Sequence, residues 1–419
     1  MKRFGFAVFV LILMLCAVSC ATTNTGTNES DEAPAVYAQP EDTPPASAFP
    51  VEVAKTEPPD DNISLTLVAT GDINLNRNLV EVLPNGSDVW GTIVPFPEFF
   101  AQIKDEINGD INLGNIETVI TDRNDIPAQT KAFCFRTHPN GVREILKTGF
   151  NLFSMANNHS YDYGAEGVTE SLKHLAILEK EYDFHWTGIG KDKDQAIEPA
   201  IFTVKGVKVG LTSLGIGHAA GTNTPGVAQE YYYKEALARL RDADVDLRIL
   251  SCHDGKEGTQ TPIDRQLRVY RSAVSDYGVD VVIGHHPHVV QGVERYKDGV
   301  IFYSLGNFMI RGAADMGKRP ASHGIRDFGL LSRIHMKIKK GQGPKFEKIE
   351  ILPVYDMHQG VHKFADPAEA HVRVDTVNHL STLSAIGANQ YAGLPTPSAV
   401  QGMIFEKANG IGVYKFPNE

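Results

Sequence analysis

The feature that most limits what this chain can fold into is a repeated coincidence: five short apolar runs, each followed at once by a residue able to ligate metal. Residues 63–70 stop at Gly71-Asp72, and residues 110–113 end near Asn115 and Glu117. Residues 150–155 end at Asn157-Asn158-His159, residues 246–251 deliver His253, and residues 279–283 run into Gly284-His285-His286-Pro287-His288. Near-continuous apolar runs of this length are strands of a parallel or mixed sheet covered on both faces. Between them, residues 97–108, 165–179, 230–243 and 262–277 carry helical periodicity, the last opened by Pro262, since proline favours a helix's first turn. Two more strands flank Lys205-Gly206 within residues 201–214, and residues 300–305, 330–338 and 346–352 read as later ones. Strands interleaved with helices predict an α/β fold.

Asp72, Glu117, Asn158, His159, His253, His286 and His288 therefore all fall beyond the carboxyl ends of strands, where open α/β sheets build their sites. A lone histidine in a loop, an Asp72 that caps a turn, or turn-forming asparagines would each be ordinary; their joint arrival at one rim predicts a single site. Proline fixes its own φ and biases the residue before it toward extended conformations. His286 and His288 are thus expected to project the same way and grip one metal centre. Cys252 points to the face opposite His253. Carboxylate, amide oxygen and imidazole suit Zn, Mn or Fe rather than an all-oxygen calcium cage or a thiolate site. Two such ions sharing a carboxylate would activate water for an in-line displacement, so hydrolysis is the expected chemistry. Asp162 follows His159 closely enough to orient its ring.

The chain opens with Met1-Lys2-Arg3, an apolar stretch to Leu15, and Ala17-Val18-Ser19-Cys20. Residues 1–19 read as a signal peptide, too short to span a bilayer comfortably, and Cys20 resembles the lipid-modified cysteine of bacterial lipoproteins. The expectation is an exported lipoprotein on the outer side of a membrane, at the cell surface or in the periplasm. Residues 20–62, rich in Thr, Asn, Glu, Ala and Pro, read as a disordered tether. The net charge of −11 argues against a nucleic-acid partner, although metal and local Lys/Arg can still attract a polyanion. Lys256, Arg265, Arg268, Arg271 and Arg295 are candidates for such a basic rim, or else for a solvated face. Cys134 and Cys252 are either a disulfide or two separate thiols.

Taken together, Thr70-Gly71-Asp72, Asn115-Ile116-Glu117, Ala156-Asn157-Asn158-His159 with Asp162 and Gly164, Gly284-His285-His286-Pro287-His288-Val289, and Tyr303-Ser304-Leu305-Gly306-Asn307-Phe308 resemble the CapA family of poly-γ-glutamate capsule proteins. The resemblance covers about residues 65–310. That family is similar to calcineurin-like metallophosphoesterases, which implies a four-layer α/β sandwich of mixed sheets covered by helices across residues 63–354. Residues 355–419 would then be an extension packing on it as a wrap or flap. The resemblance further implies Asp72 as the first-strand ligand, Glu117 as a bridging carboxylate, Asn158 as an amide ligand, and His253, His286 and His288 as imidazole ligands of two divalent ions. His286 is preferred to His285 on its spacing to His288. His159 would protonate the leaving group with Asp162 beside it, and Asn74, Arg77 and Asn157 would contact substrate. Two departures stand out: Asn74 occupies the place of a phosphoesterase histidine, and His253-Asp254-Gly255-Lys256-Glu257-Gly258 lacks the aromatics common there. The implied role is a membrane-tethered hydrolase of a phosphoester or amide-linked polyanion in poly-γ-glutamate assembly or export, working with capsule synthesis machinery. The alternative is a non-catalytic polymer-binding or assembly factor that keeps the fold.

Overall fold

The computed structural model describes residues 62–75, 96–311, 327–355, 357–382 and 400–417. The expected signal peptide, Cys20, most of the expected tether and Arg77 lie outside them. Strands β1 (Ile63–Asn74), β2 (Ile111–Ile116), β3 (Leu152–Ser154) and β4 (His185–Thr187) run parallel in one sheet. Strands β5 (Val207–Gly215), β6 (Leu247–His253), β7 (Val281–His285) and β8 (Gly299–Phe302) run parallel in a second. Antiparallel strands make both sheets mixed. β9 (Gly329–Lys339) joins β1 to β10 (Gly343–Tyr355) in the first, and Ala200–Val204 and Val293–Tyr296 flank the second.

Period-2 alternation divides each strand between two cores. Leu65, Leu67 and Ala69 of β1 pack with Val209 and Leu211 of β5, Ile249 of β6 and Ile283 of β7, so the sheets lie face to face. Val68 and Phe153 turn the other way. They join a cluster with Val142 and Ile145 of α1 (Pro139–Lys147) and with Val168 and Leu175 of α2 (Gly164–Leu178). On the second sheet Leu250, Cys252 and Val282 join Leu237 and Leu240 of α3 (Tyr233–Asp242) and Leu267 and Tyr270 of α4 (Asp264–Tyr277). The result is helix, sheet, sheet, helix: the expected four layers.

This layering brings the carboxyl ends of both sheets to one rim. Two glycines allow the approach. A Cβ at Gly284 would stand 2.0 Å from the Tyr303 carbonyl oxygen, and one at Gly71 would stand 2.1 Å from that of Gly306. Any side chain at either position would push apart the strand ends that carry Asp72 and the histidine run.

Three local readings of the sequence need correction. Residues 97–108 split into a short helix, Phe96–Phe100, and a 3-10 turn, Lys104–Glu106. Their apolar residues Phe99, Phe100, Ile103 and Ile107 are buried without a continuous helix, because tertiary packing rather than propensity stabilises such short segments. α4 starts at Asp264 rather than Pro262, where the Gln266 side chain accepts a hydrogen bond from the Ile263 N–H at 3.0 Å. β1 continues through Asp72 because Asn307–Ile310 pairs alongside its end. Residues beyond 355 hold a helix, α5 (Pro367–Leu380), with Val400–Gly402 extending the second sheet and Ile411–Lys415 extending the first. Cys134 and Cys252 are both free thiols, Cys252 being buried.

Candidate metal centre

Each of the two sheets delivers donors to the rim. Asp72 and Glu117 come from β1 and from just past β2, and are 0 % and 1 % exposed. His253 is the last residue of β6, and β7 leads into His285, His286 and His288. The donor atoms of Glu117, His253 and His286 lie within 4.8 Å of one another, and so do those of Asp72, Glu117 and His288. Glu117 is the member common to both triads. Neither of its carboxylate oxygens has a hydrogen-bond partner. The surrounding nitrogens stand off: His253 Nε2 at 3.4 Å, His288 Nε2 at 3.7 Å and His159 Nε2 at 3.8 Å. A buried carboxylate without donors needs cations beside it, and this orphaned group fits the residues to a divalent ion. Asn158 also belongs, its Oδ1 lying 2.7 Å from His253 Nε2.

Neighbouring side chains orient these groups. Asn115 Nδ2 donates to Asp72 Oδ1 at 2.8 Å and lies 3.1 Å from His253 Nδ1. Asn307 Oδ1 is 2.9 Å from His288 Nδ1, which leaves Nε2 facing Glu117.

The His-Pro-His run converges on the site by a route other than the extended one expected. His286 has φ 91° and His288 φ 53°, each a conformation costing on the order of 1–3 kcal/mol for a non-glycine residue. A tight turn replaces the extended segment because Asp72 Oδ2 accepts the His286 N–H at 3.3 Å and the Pro287 carbonyl accepts the Gly258 N–H at 2.8 Å. His285, the last residue of β7, is also buried, and its Nδ1 is 3.2 Å from Asp72 Oδ1. All three imidazoles of the run therefore contact the site.

The charges are set by competition. Burial works against charging His253 and His288, yet the Glu117 and Asp72 carboxylates push their pKa values up to about 9 and about 10. Burial, with the positive charges of His253 and His288, pushes His286 down to about 3. Burial also opposes ionising Asp72, but its imidazole neighbours hold it well below the usual carboxylate range. Metal takes only the unprotonated ring. At pH 7 the metal-free protein carries protons on His253 and His288, so divalent-ion uptake should release them, and affinity should rise with pH until about 9 to 10. Calorimetric titration in two buffers of different ionisation enthalpy measures this; an enthalpy independent of buffer contradicts it.

Beside the donors, His159 Nδ1 is 2.7 Å from Asp162 Oδ2, which also accepts the Phe135 N–H at 2.6 Å. Lys131 pairs with the other Asp162 oxygen and donates to the Asn158 carbonyl at 2.9 Å. The Phe135 ring covers one face of His159, their centroids 4.3 Å apart. At the rim, Tyr161 stacks on His218 with centroids 4.0 Å apart.

Several sequence assignments change. Asn157, expected at substrate, is wholly buried; its Nδ2 donates to the Ile116 carbonyl at 2.8 Å and its Oδ1 accepts from the His159 N–H at 3.1 Å, so it shapes the loop. Asn74 is buried at the end of β1, where its carbonyl accepts from the Arg311 N–H at 2.8 Å. Arg271 belongs to no rim: it is buried and pairs with Glu294 at 3.1 Å. Arg265 is held by Asp254 at 2.7 Å and Glu230 at 2.9 Å. The roles of Asn115, Asn307, Lys131 and Phe135 were missed. Asn115 and Asn307 lay inside recognised motifs, whereas the segment holding Lys131 and Phe135 has no periodic signal.

The family model described as "Bacterial capsule synthesis protein PGA_cap" matches residues 66–311. The chain is 31% identical over 308 residues to the PGA biosynthesis protein CapA of Bacillus subtilis, covering 72% of this chain and 73% of that one. It is 29% identical over 297 residues to the capsule biosynthesis protein CapA of Bacillus anthracis, covering 67% and 69%. Among solved structures, a phosphatase from Mycoplasma pneumoniae matches at TM-score 0.41 and 15% identity, over 70% of this chain and 94% of that one. The calcineurin-like phosphoesterase YfkN from Bacillus subtilis matches at 0.37 and 13%, over 77% and 98%.

Proposed function

The chain belongs to the PGA_cap family of bacterial capsule synthesis proteins, and from that premise we propose that it is a divalent-metal-dependent hydrolase acting on a phosphoester or amide-linked polyanion during poly-γ-glutamate assembly or export. The observation that carries this reading is the buried Glu117 carboxylate, without hydrogen-bond donors and common to two ligand triads. Glu117, His253 and His286 would hold one Mn, Zn or Fe ion with the Asn158 amide beside them, and Asp72, Glu117 and His288 would hold the other. When bound, such ions supply positive charge to polarise the scissile group and to lower the pKa of water.

The remaining steps fall to side chains. His159 donates its Nε2 proton to the leaving oxygen or nitrogen, and Asp162, across the ring at Nδ1, stabilises the imidazolium and fixes its plane. Lys131 balances the Asp162 charge. Phe135 keeps water from one face of His159. Lys131 and the Tyr161–His218 stack offer a cation and a flat surface to an anionic polymer approaching the rim. Cys20, lipidated and followed by the tether, would hold this body outside a membrane near its capsule synthesis partners.

A second reading draws on Asn74, which stands where the phosphoesterase pattern has an imidazole. With one ligand fewer, the same centre could serve a polymer-binding factor. Metal content, and hydrolysis of a phosphodiester and of poly-γ-glutamate before and after chelation, decide between them. Chelator-sensitive turnover of either substrate is the expected result. Less than one transition metal per chain, with no such turnover, removes the hydrolase.

A further inference from the structure

We propose that Asp122, Glu170 and His174 form another divalent-cation site, outside the strand-end centre, that pins the segment following Glu117 to helix α2. Glu170 and His174 are one helical turn apart and share a face of α2, where they are 8 % and 6 % exposed. Asp122 reaches them from the stretch after the short strand Val119–Ile120, whose Ile120 N–H is accepted by Ser171 Oγ of the same helix at 2.9 Å. The donor atoms of all three lie within 4.8 Å of one another.

The independent sign of a ligand is the imidazole. His174 Nε2 is buried and has no hydrogen-bond partner, although Asp122 Oδ1 is 3.3 Å away and Glu170 Oε2 3.6 Å away. Donors each ~2.1 Å from a tetrahedral ion stand roughly 3.4 Å from each other, so these separations are those of a ligand set. Burial also holds His174 below its ordinary value against the pull of the Asp122 charge, which favours the unprotonated ring that a metal takes. Two carboxylates and an imidazole suit Zn²⁺ or Mn²⁺. The Asp122 side chain is 50% exposed and leaves an entry path. Lys173 now donates to both Glu170 oxygens, at 3.3 and 3.1 Å, and Arg123 stands 3.8 Å from one of them. Lys173 is 54% exposed and can swing into solvent, while Arg123 has closer partners in Asp125 and Glu166.

An ion here would tie the stretch that leaves Glu117 to the helix that follows His159. It would stiffen two donors of the strand-end centre without touching that centre, and it does not depend on the hydrolase reading. The test is zinc binding by the full chain after chelator stripping, in a His286→Ala/His288→Ala background that disables the strand-end centre. One tightly bound Zn²⁺ per chain should remain there, and His174→Ala should remove it. In the otherwise unchanged chain Asp122→Asn, a half-exposed replacement that keeps the shape, should weaken binding of one zinc at least tenfold and lower the zinc-induced rise in melting temperature. Zinc content and affinity that are the same with and without Asp122→Asn overturn the proposal, whichever way the histidine background behaves.

Discussion

Glu117→Gln should strip the strand-end centre of metal while leaving the fold intact. Glutamine matches glutamate in shape but carries no charge, and Glu117 is the member that both ligand triads require. Losing it removes a donor from two groups at once, and a metal's contribution to such a centre is several kcal/mol, so affinity and turnover should each fall on the order of 10³-fold. The metal-free protein should respond differently. Its Glu117 oxygens have no hydrogen-bond partners to lose, and relief of the buried charge offsets part of the lost attraction to His253 and His288. Burial opposes the Glu117 charge, and the His288 and His253 charges bring its pKa below the ordinary value despite the repulsion from Asp72. Attraction thus outweighs burial at Glu117, so the stripped variant should melt somewhat below the stripped parent, by much less than the gap between the metal-loaded pair. Mass-spectrometric metal content, turnover and thermal melting on the same samples read all three. A variant that retains full metal content would show that Glu117 is not a ligand.

The sequence made β6 and β7 legible because parallel strands buried on both faces are apolar throughout, and because each ends in an imidazole where the sheet ends. Asp72 and Glu117 were legible for the same reason, their weight coming from position rather than from residue type. The turn at His286 was not. Proline's local preference points toward extended backbone, and it is contacts from elsewhere in the chain, Asp72 with the His286 N–H and Gly258 with the Pro287 carbonyl, that go with the turn at φ 91°. Asn307–Ile310 escaped because it is short and pairs with a strand remote in sequence, and Val293–Tyr296 because it is only a short arm of a hairpin with the strand Gly299–Phe302 that follows it. Asn157 looked like a substrate ligand because its residue type suits that task. Its burial against the Ile116 carbonyl depends on β2 lying beside β3, which local pattern does not encode. Asp122 is invisible for a related reason: Glu170 and His174 show helical spacing, but their third partner is supplied by an adjacent loop.

His159→Asn separates the hydrolase from the binding factor more sharply than any change of a metal ligand, because it leaves both triads whole. His159 Nε2 faces the rim 3.8 Å from Glu117, while Nδ1 is committed to Asp162 at 2.7 Å. Removing a general acid typically costs 10²- to 10⁴-fold, so kcat should fall about that far with KM and metal content nearly unchanged. The loss should depend on the leaving group. An alkyl phosphodiester, whose departing oxygen must be protonated, should show the full effect, whereas a nitrophenyl ester leaves readily as an anion and should show much less. Asp162→Asn should give a milder loss, about 10- to 100-fold, with the same dependence, since it disturbs the orientation of the acid rather than removing it. An equal loss on both esters would assign His159 to substrate binding instead. Polymer production that survives His159→Asn in cells but fails in Glu117→Gln would favour the binding factor, because that role needs the metal-organised surface and makes no use of a proton at His159.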